Sequence, residues 1–351
     1  MSRRSTLLPL AALLLLAPAC TKSAPSDDAP KAETPAVAPA MAEAAPANPD
    51  ANPNADTAAT TAAAGNEVTT KNPKPLIKVI DAGQEPRTPL RVKVEAGQRE
   101  TMVMTMTMTM DMDMGGLGAI PKMDMPPIEM TMPIHVTSVS DTGDFRYEFS
   151  LDSVAVKDRP GIPPELVEAL RGAMKGIIGL SGSTVVSNRG EVREATFKVP
   201  PNVQPQIKQT MESMQQSMQQ IAIPFPEEAV GIGAKWEVSS TLNQVGGINM
   251  TQVSEYEITA REGDVLTLNN GIQQSAPSQV MKAPGIPSTA VVTLQSMKSK
   301  GGGTTSFDLS HVVPVLGDIV LNSAMQMSVD AGGPTQNMSM KMDLKLDISG
   351  R

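Results

Sequence analysis

The chain has 351 residues, long enough for one large domain or two small ones, and a formal net charge of -8, which argues against nucleic acid or an anionic bilayer surface as the main partner. Aromatic residues are 2% of the composition, so aliphatic side chains and the 25 methionines must supply most of any core. A lone cysteine excludes an intramolecular disulfide and a cysteine-based zinc site, and His135 and His311 are too few for most catalytic metal centres.

Arg3 and Arg4 provide the positive start of a signal sequence, and residues 5–19 form an apolar stretch ending in small residues before Cys20. That stretch is well short of the roughly 20 residues of a membrane-spanning helix, and Pro9 interrupts it. Cleavage at an Ala-x-Ala site would release a soluble protein. However, Leu16-Ala17-Pro18-Ala19-Cys20 resembles the lipobox of bacterial lipoproteins, with Ala17 where that pattern usually has Leu. The resemblance implies a signal peptide at 1–19 and acylation of Cys20, giving a lipid anchor to a membrane of the cell envelope. Thr21 stands where lipoproteins retained in the inner membrane of enteric bacteria carry Asp, which implies the outer membrane. Residues 21–75 hold Ala, Pro, Asn, Asp and Thr with almost no large apolar side chain, so a disordered tether is expected over 20–75. Its r.m.s. reach is on the order of 40 Å.

From residue 76 the pattern becomes period-2 alternation broken by turn residues, which predicts β-strands. Strands are expected at Leu90–Val94, Glu100–Met114, Glu129–Val139, Phe145–Val156, Thr184–Asn188 and Glu191–Val199. A second group covers Lys235–Leu242, Asn249–Ala260, Val265–Asn269, Ala290–Met297, Thr304–Leu309, Ile319–Val329 and Asn337–Ile348. Gly143-Asp144, Asn188-Arg189-Gly190, Gly263-Asp264 and Gly301-Gly302-Gly303 read as hairpin turns. Two amphipathic helices interrupt the strands. The first starts at Pro163-Pro164 and carries Leu166, Val167, Leu170, Met174, Ile177 and Ile178, with Gly179 or Gly182 to end it. The second follows Asn202, with Val203, Ile207, Met211, Met214, Met218 and Ile221 on one face.

An internal repeat is visible. Met130-Thr131 precedes Gly143-Asp144 as Met250-Thr251 precedes Gly263-Asp264, and Pro160-Gly161-Ile162-Pro163 recurs as Pro284-Gly285-Ile286-Pro287. The strand from Gly233 then corresponds to that from Gly97, and Gly317 starts a truncated third copy. The expected fold is α+β and mostly antiparallel β: a wide curved sheet or half-barrel with an internal repeat, covered by the two helices, over 76–351. At the level of architecture this resembles the half-barrel of Lol-type lipoprotein carriers and of mycobacterial lipid-carrying lipoproteins. The strand at Glu100–Met114 and the run Pro226–Trp236 also resemble uncharacterised bacterial lipoproteins with a Met-rich, β-rich domain of unknown function. That resemblance implies no activity.

The most unusual feature is a ladder of Met102, Met104, Met106, Met108, Met110, Met112 and Met114, alternating with Val, Thr and Asp. In a strand it forms one thioether face and one polar face. Met123, Met125, Ile128, Met130 and Met132 form a neighbour, and Met325, Met327, Met338, Met340 and Met342 a third set. Three readings compete. Met simply replaces Leu and Val in a core, in a structural or interaction protein of the envelope. Or the adaptable thioethers line a groove for a lipid or other hydrophobic ligand. Or they bind Cu(I), which thioethers favour. A sacrificial role in scavenging oxidants is a further option.

No catalytic constellation is apparent, so a non-enzymatic protein without a cofactor is expected. Gly179-Leu180-Ser181-Gly182-Ser183 lacks the last glycine of a nucleophile elbow. Glu227-Glu228 and Asp111/Asp113 are acidic pairs of the kind that exposed loops and polar strand faces carry. His135 and Trp236 read as structural, and His311 has no evident carboxylate partner in sequence. Cys20 is the one residue with an assigned chemical role. Cys20→Ser should move the protein from the membrane fraction to the soluble one and abolish acyl labelling; a variant that stays membrane-bound would refute the anchor.

Overall fold

The computed structural model describes residues 66–71, 74–115, 118–199, 222–245, 248–281, 290–332 and 334–351. Cys20, the signal and most of the tether, the helix expected after Asn202 and the Pro284–Pro287 motif lie outside the described residues.

The strands are β1 (Asn66–Lys71), β2 (Leu76–Asp81), β3 (Thr88–Pro89), β4 (Arg99–Asp113), β5 (Ala119–Asp124), β6 (Ile128–Val139), β7 (Phe145–Ser150) and β8 (Ser153–Val156). The helix α1 (Pro164–Lys175) follows, then β9 (Ser181–Val186), β10 (Val192–Val199), β11 (Ala229–Val230), β12 (Lys235–Val245) and β13 (Ile248–Glu262). The last strands are β14 (Val265–Ala276), β15 (Gln279–Met281), β16 (Val291–Asp308), β17 (Leu316–Asp330) and β18 (Gln336–Gly350). All but β3 and β11, which pair with each other, join one antiparallel sheet in the order β1-β10-β9-β7-β6-β4-β18-β17-β16-β14-β13-β12-β2, with β5, β8 and β15 on side branches. The expectation of a mostly antiparallel β domain holds.

Two meanders make this order. One runs β4, β6, β7, β9, β10; the other runs β12, β13, β14, β16, β17, β18. They meet where β18 pairs with β4 from Gly350↔Met102 to Ser339↔Asp113. The edge strands β1 and β2 sit at opposite ends of the order, yet only residues 72–75 separate them in sequence. Such a link spans at most about 18 Å. The sheet is not closed, but it must curl until its two edges come that near. An even number of antiparallel pairings lies between β10 and β12, so β1 and β2 run in the same direction. One chain segment therefore serves first one edge and then the other, and it begins inside the stretch that composition assigns to the tether.

The curl explains a core shared by distant strands. Phe145 and Val186 of the first meander lie in one buried cluster with Trp236, Tyr256, Ile258, Leu268 and Phe307 of the second. Leu90, Val92 and Val94 fill its centre, at 0%, 4% and 7% exposure. Their alternation predicts a strand, and here the structure corrects the prediction. The segment is extended but forms no ladder. Val92 N donates to Asn188 O (2.7 Å) and Lys93 N to Leu309 O (2.7 Å), so it bridges the two meanders as a plug. Alternating burial requires only two opposed environments, which a core on one side and solvent on the other supply without a neighbouring strand.

Two further expectations are corrected. Gly301-Gly302-Gly303 is not a turn; it lies inside β16, which runs unbroken for 18 residues. The glycines are there for close approach, since a Cβ on Gly301 would sit 2.0 Å from Val320 O and one on Gly302 2.2 Å from Asn270 O. The inner face is also not covered by the first helix. In α1 only Val167 is buried, Ile178 beyond it is 45% exposed, and the helix packs beside β8 at a margin of the sheet, where Arg171 reaches Val156 O (3.1 Å) and Asp158 (3.0 Å). A cover of two helices is therefore not part of the described fold.

Glu100 secures the junction of the meanders from inside. Its side chain is 2% exposed, and it accepts from Val312 N (2.9 Å), Val313 N (3.3 Å) and Gln98 Nε2 (2.7 Å). Glu100→Ala strands buried amides and should cost about 2–4 kcal/mol, seen as a lower urea midpoint with an unchanged slope. Glu100→Gln, which keeps one acceptor, should cost less.

Candidate functional site

Met102 to Met112 of the methionine ladder lie on β4 with their thioether face toward the interior, because alternate residues of one strand share a face, and Met114 follows the strand's last residue and is buried. Its surroundings are not uniform. At one end Met102 is 4% exposed and packs with Met132, Ile134, Phe149 and Phe197 in a second buried cluster. The cavity remaining there is about 70 Å³, too small for any acyl chain. At the other end Met250, Met297, Met327 and Met340 form a third cluster, against which Met112 and Met325 pack.

Between these ends the inner face is half-buried. One cross-strand row reads Asn270, Gly303, Ile319, Leu346, Met106, and the next reads Ile272, Gly301, Leu321, Leu344, Met108; every member is partly exposed. On one side the trough is bounded by buried Leu268, Thr305 and Ile348, and on the other by buried Ser299 and Ser323. The strands are about 4.8 Å apart, so Asn270 to Met106 spans about 19 Å across the sheet. That is the length of an extended chain of some 15 carbons.

One polar group at the end of this trough lacks a partner. Asn270 Nδ2 donates to Thr305 Oγ1 (2.6 Å), while the buried Asn270 Oδ1 accepts from nothing, alone among the buried side-chain oxygen and nitrogen atoms of the described residues. Turning the amide over would only transfer the deficit to its nitrogen. Such an orphan marks a place for a further hydrogen-bonding group. The neighbouring inward polar side chains are mutually satisfied: Gln274 Nε2 donates to Gln252 Oε1 (2.7 Å) and Ser323 Oγ to Ser299 Oγ (2.8 Å).

A concavity of about 610 Å³ lies on the opposite, outward face, where Lys298, Lys300, Lys341, Gln273, Asn322 and Asp343 are among its lining. It is a shallow hollow open to solvent, with lysine, glutamine, serine and asparagine side chains around it rather than an enclosed cleft.

The other residues singled out from sequence occupy structural positions. Trp236 is 1% exposed, donates from Nε1 to Pro224 O (3.0 Å) and stacks on Tyr256 at 5.4 Å. His135 stands on β6 in register with Arg99 and Glu148. Asp111 and Asp113 are exposed on the polar face of β4, and Glu227 and Glu228 lie in an exposed turn. His311 does have a carboxylate neighbour, with Nδ1 3.5 Å from Glu100 Oε1. Sequence separation hides that contact, and it hid Glu100 and Asn270 altogether. Among the described residues no group of three or more His, Cys, Asp or Glu is placed to hold a metal ion, and no helix is long and apolar enough to cross a membrane. The chain matches no known protein family, and no curated protein matches it.

Burial pushes the Tyr256 hydroxyl up to about 12 against a reference of 10.0, although its hydrogen bond with Ser254 opposes the shift. Below pH 10 the phenol is neutral in both folded and unfolded chains, and its contribution is fully present. Between pH 10 and about 12 the unfolded chain ionises first, so stability falls with rising pH by roughly 2–3 kcal/mol. Urea unfolding through that range, alongside phenolate absorbance, should show the loss in the parent and a smaller one in Tyr256→Phe.

Proposed function

We propose that this chain is a membrane-anchored, non-enzymatic lipoprotein whose sheet binds a hydrophobic ligand along the methionine-lined trough. Cys20 carries the acyl anchor, and the outer membrane is its address. The observation that carries the ligand reading is the pair of half-buried, mainly apolar rows lying between the buried cluster around Met102 and the methionine cluster around Met340. A filled core leaves no such band. Burying about 200 Å² of it under an alkyl chain is worth about 5 kcal/mol before ordering costs, and flexible thioethers at Met106 and Met108 tolerate chains of differing shape. The orphan amide of Asn270 favours an amphiphile bearing a hydroxyl, which donates and accepts in either amide orientation.

The competing reading, a structural envelope protein with a methionine-rich core, draws on the filled end of the ladder around Met102. It leaves the exposure of Met106, Leu344 and Leu346 without a purpose.

The two meanders are proposed to descend from one duplicated unit. Gly97 and Gly233 both have positive φ, 90° and 82°. Gly97 N donates to Val136 O and Gly233 N to Ile258 O, while Val136 N and Ile258 N return bonds to Gln98 O and Ala234 O. A ladder irregularity follows each, and Thr137 and Thr259 bond across it to Arg146 O and Thr267 O.

Native mass spectrometry of the detergent-extracted full chain tests the reading. A co-purified lipid or uptake of a fluorescent long-chain alcohol is expected, with uptake lost in Leu344→Trp, which fills the trough. Absence of both adduct and uptake would overturn it.

A further inference from the structure

The third buried cluster is built largely of sulfur, and its registration across strands is closer than a core requires. Met297, Met325, Met340 and Met112 stand directly opposite one another on β16, β17, β18 and β4, forming one unbroken row over four strands. The next row on one side adds Met342↔Met110 and the next on the other adds Met327↔Met338. Directly opposed residues have Cβ atoms about 4.5–5.5 Å apart. Thioethers from three adjacent strands can therefore converge on a single point above the sheet.

Packing alone does not explain this concentration. Inward residues of β18 are Met338, Met340 and Met342 at one end, but Leu344, Leu346 and Ile348 at the other. β17 likewise passes from Ile319 and Leu321 to Met325 and Met327. The same sheet face thus accepts branched aliphatics where apolar surface is needed but no soft donor is. Burying Met costs more side-chain entropy than burying Leu. The methionine end is also accessible: Met340 is 6% exposed, whereas Met112, Met325, Met338 and Met342 are partly exposed around it.

We infer that Met112, Met325 and Met340 form an all-thioether binding site for a soft monovalent cation, Cu(I), at the methionine-rich end of the inner face. Thioethers are soft, neutral ligands that select Cu(I) over Zn(II) and over harder divalent ions. Neutral sulfur also keeps the site chemically distinct from the carboxylates of the outward face. The site is separate from the trough, where Leu344, Leu346 and Ile319 provide no ligand, and so does not depend on the lipophile reading.

The test is an anaerobic Cu(I) titration of the detergent-extracted full chain against a chromophoric Cu(I) chelator, repeated with Ag(I) as a redox-inert probe. One tightly held equivalent is expected, with sulfur-only coordination by X-ray absorption and no competition from Zn(II). The triple variant Met112→Leu/Met325→Leu/Met340→Leu conserves volume and should keep the parent circular dichroism while losing at least tenfold in affinity. Met102→Leu/Met132→Leu, at the filled end, should bind as the parent does. If the triple variant does not fold, Met112→Leu alone decides, with a several-fold loss expected. Failure of the parent to compete with the chelator, nitrogen or oxygen ligands in the absorption spectrum, or undiminished affinity in the Leu variants would overturn the site.

Discussion

The pairing of β18 with β4 is the constraint on which the rest of the domain depends. Each meander can form from neighbouring hairpins, but neither alone can bury its inner face. Twelve residue pairs between the ladder strand and the C-terminal strand join them. The contact spans most of the folded chain in sequence, so its loop-closure entropy is met only after both meanders exist. Once made, it sets the methionines of β4 opposite the leucines and methionines of β18 and lets the sheet curl around the plug at Leu90–Val94. Glu100, bound to the Val312–Val313 backbone, ties β4 to the segment between β16 and β17 beside this junction.

The inner face that results is graded rather than uniform. Aromatic and branched side chains fill the end around Trp236, Tyr256 and Phe307. Thioethers fill the opposite end, and half-buried leucine, isoleucine and methionine occupy the middle. Because few aromatic rings are available, the core cannot be completed by large rigid groups everywhere. Methionine bridges irregular spaces at an entropic cost, and it leaves a surface that can be remodelled by what lies on it. Adaptable apolar surface and soft donor atoms are therefore provided by the same residues.

Much of the secondary structure was legible because alternation is a local property. The strands at 99–113, 128–139, 248–262, 316–330 and 336–350 lie close to their expected positions, as do the turns at Gly143 and Gly263. Misreadings occurred where local chemistry and tertiary context disagree. Three consecutive glycines signal a turn by conformational freedom, but in β16 they serve close backbone approach. Leu90–Val94 alternates like a strand and is a plug. The helix at 164–175 was visible from its proline start and apolar spacing, yet its place at the sheet margin depends on β8, the end of the run Phe145–Val156 that alternation reads as one strand and the structure divides in two.

By itself the sequence determined which segments are extended, which face of each is apolar, and that one strand presents an uninterrupted thioether edge. These follow from side-chain alternation, turn-forming residues and the absence of helix-period patterning, all of which act within a few residues. Only the tertiary structure decided which strands are neighbours, that β1 and β2 serve opposite edges, that Asn270 lacks a partner, and that Met112, Met325 and Met340 share a row. The reason is physical: a period of two says which way a side chain points, but the neighbour it meets is chosen by long-range register and by the curl that brings separated faces together.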